Sequence, residues 1–95
     1  MFICTSKVTI DTSFCYSLKE KRSIIQKIKS RTRNKFNVSI SEIEYQNEWH
    51  KAQLGIAIVA SESKYTNSII NKVVDFIDDM YPGLLEDWDL DIDSR

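Results

Sequence analysis

The stretch Leu54-Gly55-Ile56-Ala57-Ile58-Val59-Ala60 is almost entirely apolar, and it decides the fold. It belongs to a predicted strand over residues 52–60, because a continuous apolar run of this kind is typical of a strand that is covered on both faces. We therefore expect a central strand of a sheet, buried on both sides or nearly so. The elements that flank it along the chain indicate what kind of sheet it belongs to.

The segment just before this strand predicts a second strand, joined to it by a hairpin. Residues 37–46 carry strand-forming residues, and residues 46–51 make a polar connection between the two strands. The apolar positions change parity between Ile40 and Ile43, which indicates a β-bulge in the first of the two strands.

The chain before the hairpin predicts a strand and then a helix. Residues 2–10 alternate in the way of a strand. Ser17-Leu18-Lys19-Glu20 is a capping box, in which the Ser17 hydroxyl accepts from the amide of Glu20 and the Glu20 carboxylate reaches back to the amide of Ser17. A long amphipathic helix begins there and ends close to Phe36-Asn37.

The chain after the hairpin repeats this order as a helix and then a strand. Apolar residues recur at intervals of three and four from Tyr65 to Met80, with Ser61 or Ser63 as the predicted cap. Pro82-Gly83 ends this second helix. The last strand spans residues 84–93, with aspartates facing water and three apolar side chains facing inward: Trp88, Leu90 and Ile92.

The resulting order of elements is β-α-β-β-α-β, and right-handed crossovers leave few ways to assemble it. We predict a single α+β domain over residues 1–95 with a ferredoxin-like fold. Its antiparallel sheet has the strand order 4-1-3-2, both helices lie on one face, and the other face is open. The first helix then lies over strands two and three, and strand four forms the far edge.

Composition limits the classes of protein to which the chain can belong. It has 95 residues, 42% of them apolar, which suffices for one core. No apolar run reaches the ~18 residues of a membrane span, and residues 1–7 lack the features of an export signal, so we expect a cytoplasmic protein without a membrane partner. Cys4 and Cys15 have no metal-ligand spacing and are predicted to be unpaired structural thiols.

A net charge of −1 hides two strongly charged segments of opposite sign. Residues 17–36 contain eight basic side chains and one acidic one, a local charge of +7. Residues 75–95 contain eight acidic side chains and one basic one, a local charge of −7. The first segment predicts a surface able to meet polyanions, and the second predicts one that repels them.

Three blocks of the sequence agree in order and spacing with a known bacterial family. They are Ser17-Leu18-Lys19-Glu20-Lys21-Arg22, then Arg31-x-Arg33-Asn34-Lys35-Phe36-Asn37-Val38-Ser39 with Glu42, and then Trp49-x-x-Ala52-x-Leu54-Gly55-x-Ala57. Together they resemble the YlxP-like family, whose members have a domain of unknown function. The resemblance implies a ferredoxin-like fold, no established activity, and an association with translation and ribosome maturation.

The basic segment supplies the candidate site, because one flank of the first helix gathers its charges. At 100° per residue Arg22, Gln26, Lys29 and Arg33 form a stripe with Lys19 beside it. Such a row is able to track a phosphate backbone, and an alternative interpretation is a solvated polar flank. We expect a non-enzymatic domain that contacts RNA or a ribosomal subunit through the following residues: Lys19, Arg22, Gln26, Lys29, Arg31 and Arg33.

The hairpin supplies a second candidate surface, with Trp49 and His50 as predicted partner contacts. His50 is the only histidine, and no nucleophile or acid is set around it, so we expect no catalytic triad. We also expect no cofactor and no metal. The alternatives to RNA are a protein-interaction or homodimer module, which uses the open sheet face or the Trp49 hairpin, and a small-molecule regulatory domain. Lys21 lies in the apolar arc of its helix and is predicted to snorkel to an acid.

Overall fold

The computed structural model describes all residues 1–95 and has the predicted ferredoxin-like architecture. The elements, in chain order, are β1 (Phe2–Asp11), α1 (Leu18–Lys35), β2 (Ser39–Glu44), β3 (Lys51–Ala60), α2 (Ser63–Met80), β4 (Leu85–Trp88) and β5 (Asp91–Ser94). The antiparallel sheet has the order β2-β3-β1-β4, with β5 also paired to β1. The predicted strand order is therefore confirmed, with the last strand divided in two.

The core lies between one face of the sheet and the two helices. Alternate residues of β3 are buried, from Ala52 to Ile58, and they pack with alternate residues of β1 and with the apolar faces of α1 and α2. The prediction that β3 is buried on both faces, or nearly so, holds for the face that carries the helices and not for the other face. Its other side is partly open, and Val59 is 63% exposed there, because no layer covers that face of the sheet. Apolar composition alone does not distinguish the two cases.

The predicted bulge in β2 is confirmed, and it explains a glycine in β3. The register of β2 against β3 shifts between Glu42 and Glu44, which leaves Ile43 as the extra residue. A Cβ atom added at Gly55 would lie 3.0 Å from the Ile43 Cγ2 atom. Gly55 therefore makes room for the side chain that the bulge turns onto the open face.

The last strand is interrupted at Asp89 because its side chain, and not its backbone carbonyl, accepts the hydrogen bond from the neighbouring amide of β1. The Asp89 carboxylate accepts a 2.7 Å hydrogen bond from the Lys7 amide, and its carbonyl accepts one of 2.7 Å from the Ser6 hydroxyl. The Asp89 amide still donates to the Lys7 carbonyl. The register on β1 is the same on both sides of the break, so Trp88 and Ile92 remain on the face that carries the helices.

The helix caps differ from their predictions in two details. Ser17 caps α1 as predicted, since its hydroxyl accepts from the Glu20 amide at 3.1 Å, but the Glu20 carboxylate accepts from the amide of Tyr16 and not of Ser17. The cap of α2 is Glu62, whose side chain makes no capping hydrogen bond. The predicted serine caps are wrong because one precedes the cap position and the other, Ser63, is already helical. Neither 18-residue helix is apolar enough to cross a membrane.

Candidate nucleic-acid interface

The orientation of α1 about its own axis is fixed by a narrow buried face. Four of its residues are buried: Lys21, Ile25, Ile28 and Thr32. Their spacing places them on one side of the helix, against the sheet, and leaves most of the remaining circumference in solvent. The direction in which every basic side chain of α1 points follows from this arrangement.

Lys21 anchors the N-terminal part of α1 to the hairpin. Its side chain is fully buried, and the Nζ atom lies 2.9 Å from the Glu42 Oε2 atom and donates to the Tyr45 carbonyl at 2.5 Å. Tyr45 has a φ of 64°, a left-handed conformation at the end of β2. The predicted acidic partner of Lys21 is thus present, and the hairpin covers the ammonium group, so that it does not reach the surface.

A row of polar and cationic side chains runs along one side of α1, and we call it the basic flank: Lys19, Arg22, Gln26, Lys29 and Arg33. Lys29 is half-buried and the other four residues are exposed. At 1.5 Å per residue the row is about 21 Å long. All ion pairs of the domain lie elsewhere, so none of the four cationic groups in the flank has a carboxylate within 4.0 Å.

Arg33 shows which way the basic flank faces. Its guanidinium donates a 2.6 Å hydrogen bond to the carbonyl of Ile40 in β2, an edge strand of the sheet. The flank therefore lies above and beyond this edge. Because a guanidinium has five N–H donors, the bond to Ile40 leaves Arg33 able to bind a further acceptor. It also covers a backbone carbonyl that an edge strand would otherwise present to solvent.

Arg31 is not brought together with the basic flank. It lies on the side of α1 that faces α2, where it lines an inter-helix groove with Lys35, Phe76, Asp79 and Met80. The Lys35 ammonium lies 5.0 Å from the centre of the Phe76 ring, within range of a cation–π interaction. Arg31 shares the positive charge of the flank, but the helical angle places it on a different side of α1.

The acidic segment is divided, because Asp75 and Asp79 of α2 line the grooves beside Lys35 of α1, whereas the acids of the last two strands lie away from α1. Four aspartates point to the open face of the sheet, along the edge farthest from β2: Asp87, Asp89, Asp91 and Asp93. Asp89 and Asp91 border a shallow trough of 590 Å³ on that face, whose lining is mainly small and polar. This face carries no paired aromatic side chains, and its charge disfavours phosphate.

The hairpin that carries Trp49 and His50 is fastened to the loop between β1 and α1. The buried Thr12 donates from its hydroxyl to the Trp49 carbonyl and from its amide to the His50 carbonyl, both at 3.0 Å. Trp49 is 45% exposed and contacts the His50 ring edge-on, at 5.6 Å between ring centroids. The His50 Nε2 atom is 3.6 Å from Glu48. The bonds from Thr12 use the backbone carbonyls of Trp49 and His50, so they leave the side chains of both residues available to a partner.

The sequence patterns did not indicate two further exposed aromatic residues, which lie in the loop between β1 and α1. Tyr16 is 94% exposed and Phe14 is 43% exposed. The Phe14 ring lies 6.3 Å from that of Tyr81, whereas Tyr16 has no aromatic neighbour. Two aromatic residues in a short polar loop could have indicated this surface, because residues outside a helix or strand are not needed for the apolar face of one.

The two cysteines are buried and unpaired, as predicted. Burial raises the pKa of both thiols, and near Cys15 the Glu20 carboxylate raises it further. The pKa of Asp11 is lowered, because its carboxylate accepts hydrogen bonds from the side chain and amide of Ser13. No cluster of three or more His, Cys, Asp or Glu side chains is arranged to hold a metal ion.

Comparisons with known proteins agree with the sequence resemblance. A curated relative from Bacillus subtilis (strain 168), "Uncharacterized protein YlxP", is 50% identical over 62 residues, which cover 65% of this chain and 67% of that protein. A solved structure, "De novo designed protein Ferredog-Diesel", is 11% identical with a TM-score of 0.48, and the match covers 97% of this chain and 84% of that one. The family described as "Protein of unknown function (DUF503)" matches residues 3–89, and the chain accordingly belongs to the DUF503 family, to which its YlxP-like sequence blocks had pointed.

Proposed function

We propose that this protein is a non-enzymatic binding domain, and that the basic flank of α1 contacts RNA or an RNA-containing assembly such as a ribosomal subunit. The observation that supports the proposal is that no carboxylate lies within 4.0 Å of the cationic groups of the flank. Cations that are already paired with carboxylates displace few counterions from a nucleic acid, whereas unpaired cations displace them, and this release is the main driving force of nucleic-acid binding.

The layout of the charges favours binding in one orientation. The basic flank lies along the β2 edge, while the four aspartates from Asp87 to Asp93 lie on the open face near the opposite edge. A polyanion is attracted to the first surface and repelled from the second, so approach is steered before contact. The association with translation that the YlxP-like resemblance implies is consistent with such a target, and a target of this kind would be met in the cytoplasm.

The strength of this interaction is expected to depend steeply on salt. Four cations, Lys19, Arg22, Lys29 and Arg33, line the flank. If each neutralises one phosphate, log K falls against log salt with a slope of about −2.8 to −3.6. Affinity then drops by about 50- to 150-fold between 50 and 200 mM salt. A flank that only solubilises the domain gives no such binding at any salt concentration.

The proposal is tested with a pair of variants that carry equal charge changes. The double substitution Arg22→Glu and Lys29→Glu reverses two cations of the flank, and neither side chain makes a hydrogen bond or an ion pair that the fold would lose. The control is Lys64→Glu with Lys72→Glu on the exposed side of α2. Co-sedimentation with ribosomal subunits or with total RNA should be lost in the first protein and kept in the second. Equal retention of both proteins would refute the role of the flank.

The second candidate function is a protein-interaction or homo-oligomer module. The observation that favours it is the exposure of apolar side chains away from the flank, with Val59 on the open face at 63% and Trp49 in the hairpin at 45%. Sedimentation at several protein concentrations separates this candidate from the first. Association that persists at high salt and is lost in Val59→Ser or Trp49→Ser supports the module, whereas a monomer at all concentrations excludes self-association.

A further inference from the structure

Two exposed aromatic side chains lie at the end of the domain where the basic flank begins, and the proposed function does not yet use them. Tyr16 is 94% exposed and Trp49 is 45% exposed. Their rings do not belong to the hydrophobic core. Exposed aromatic faces are the surfaces on which nucleic-acid bases stack, with little dependence on which base is present.

Hydrogen bonds hold these two residues and the start of the flank together. Tyr16 directly precedes Ser17, the cap of α1, and Lys19 lies in the first turn of that helix. Thr12 in the same loop bonds the carbonyls of both Trp49 and His50. Lys21 ties the first turns of α1 to the hairpin through the Tyr45 carbonyl. These bonds place the loop that carries Tyr16, the hairpin that carries Trp49 and the first turn of α1 at the same end of the domain.

The charges at this end favour bases over phosphates. Several carboxylates stand at this end, since Asp11 accepts from the Ser13 amide, Glu20 accepts from the Tyr16 amide, and Glu48 lies beside His50. Glu44 adds a further exposed carboxylate. A phosphate would be repelled by these groups, while an uncharged base would not, and carboxylates also accept hydrogen bonds from base amino groups.

We propose that the RNA bound by this domain is single-stranded, with bases stacked on Tyr16 and Trp49 and with its phosphates following the basic flank from Lys19 toward Arg33. This inference rests on the proposed function and adds the class of RNA to it. In a duplex the bases are stacked on each other and unavailable to side chains, so a duplex offers only its phosphates to this surface. The two kinds of RNA should thus respond differently to the loss of the aromatic rings.

The test measures fluorescence anisotropy with a labelled single-stranded oligoribonucleotide of about 12 nucleotides, and with the same strand annealed to its complement. We expect Tyr16→Ala and Trp49→Ala each to weaken single-strand binding by about 5- to 150-fold and to leave duplex binding unchanged. Tyr16→Phe and Trp49→Phe should retain the affinity, because they retain a ring. Tyr65→Ala is the matched control, since Tyr65 is 58% exposed on α2 and lies outside this surface.

A second measurement reports stacking directly. In a Trp88→Phe background Trp49 is the only tryptophan, and its emission should be quenched when the single strand binds. Three outcomes overturn the inference. If both alanine variants bind the single strand normally while Arg22→Glu with Lys29→Glu does not, the flank alone contacts RNA and only the stacking is refuted. If the parent protein prefers the duplex, the single-strand class is refuted. If it binds neither RNA, the proposed function fails as well.

Discussion

Replacement of Lys21 by methionine should cost this domain a large part of its stability. The substitution keeps the aliphatic stem in place and removes only the ammonium group. It leaves the Glu42 carboxylate, whose side chain is 14% exposed, without its cation, and it leaves the Tyr45 carbonyl without a donor. Breaking a buried ion pair by removal of one partner costs about 3–5 kcal/mol. That is a considerable part of the roughly 5–15 kcal/mol that stabilises a typical domain.

The assay is urea unfolding followed by circular dichroism at several protein concentrations, with thermal unfolding as a second measure. A loss of about 3–5 kcal/mol corresponds to a fall of at least about 12 °C in the Tm of a domain of this size. Lys19→Met is the control, because Lys19 is an exposed lysine two residues away. It should change the free energy of unfolding by no more than about 0.5 kcal/mol.

The double substitution Lys21→Met with Glu42→Met tests whether the loss of stability comes from the unpaired Glu42 carboxylate. Removal of both partners replaces a buried ion pair by apolar side chains, which is often neutral or stabilising. We expect the double variant to regain most of the stability lost in Lys21→Met. A single variant as stable as the parent, or a double variant no better than the single one, would contradict this account of how α1 is anchored.

Three further predictions concern other parts of the fold. Asp89→Ala should lower the free energy of unfolding by about 1 kcal/mol, because a β1 amide loses its acceptor, while Asp89→Asn should cost less, since it keeps an acceptor oxygen. Cys4 and Cys15 should react with a thiol reagent at pH 8 only after denaturation, because both thiols are buried in the folded domain. Burial raises their pKa values above 9.0, so each thiol contributes stability that is present below pH 9.0 and is lost as the pH rises through the pKa of the folded state. The pKa of Asp11 lies below 3.8, so the ionised carboxylate contributes stability that is present above pH 3.8 and is lost as the pH falls through the pKa of the folded state. Ser13→Ala should raise the pKa of Asp11 in an NMR titration, because the carboxylate loses the side-chain hydrogen bond.

The sequence predicted the order of elements well, because local signals carried that information. The Ser17 cap, the parity change between Ile40 and Ile43, and the Pro82-Gly83 stop are each local, and the corresponding elements are present. Right-handed crossovers then leave few topologies for β-α-β-β-α-β. The fold class follows from these signals without any knowledge of tertiary contacts.

Contacts between distant residues account for several features that the sequence did not predict. The interruption at Asp89 comes from hydrogen bonds with Lys7 and Ser6, more than 80 residues away. The burial of the Lys21 ammonium requires the Tyr45 carbonyl to turn inward, and no pattern near Lys21 indicates that turn. Composition could not show that β3 has one open side, since its apolar run is the same in either case.

The candidate site was predicted in part, because helical angles are readable and loop positions are not. The basic flank emerged from spacing alone, and spacing also separates Arg31 from it. The placement of the loop that carries Tyr16 beside the Trp49 hairpin depends on the two bonds from Thr12 to the carbonyls of Trp49 and His50. No sequence periodicity relates an exposed loop tyrosine to a distant hairpin. The structure was therefore needed to show that the loop and the hairpin lie at the same end of the domain.

The most direct test of the central claim is the salt dependence of RNA binding by the parent protein and by Arg22→Glu with Lys29→Glu. The parent should give a slope of log K against log salt of about −2.8 to −3.6, and loss of two phosphate contacts should reduce its magnitude by about 2. Binding that is independent of salt, or a slope that the double substitution leaves unchanged, would contradict the claim that the uncompensated cations of α1 bind phosphate.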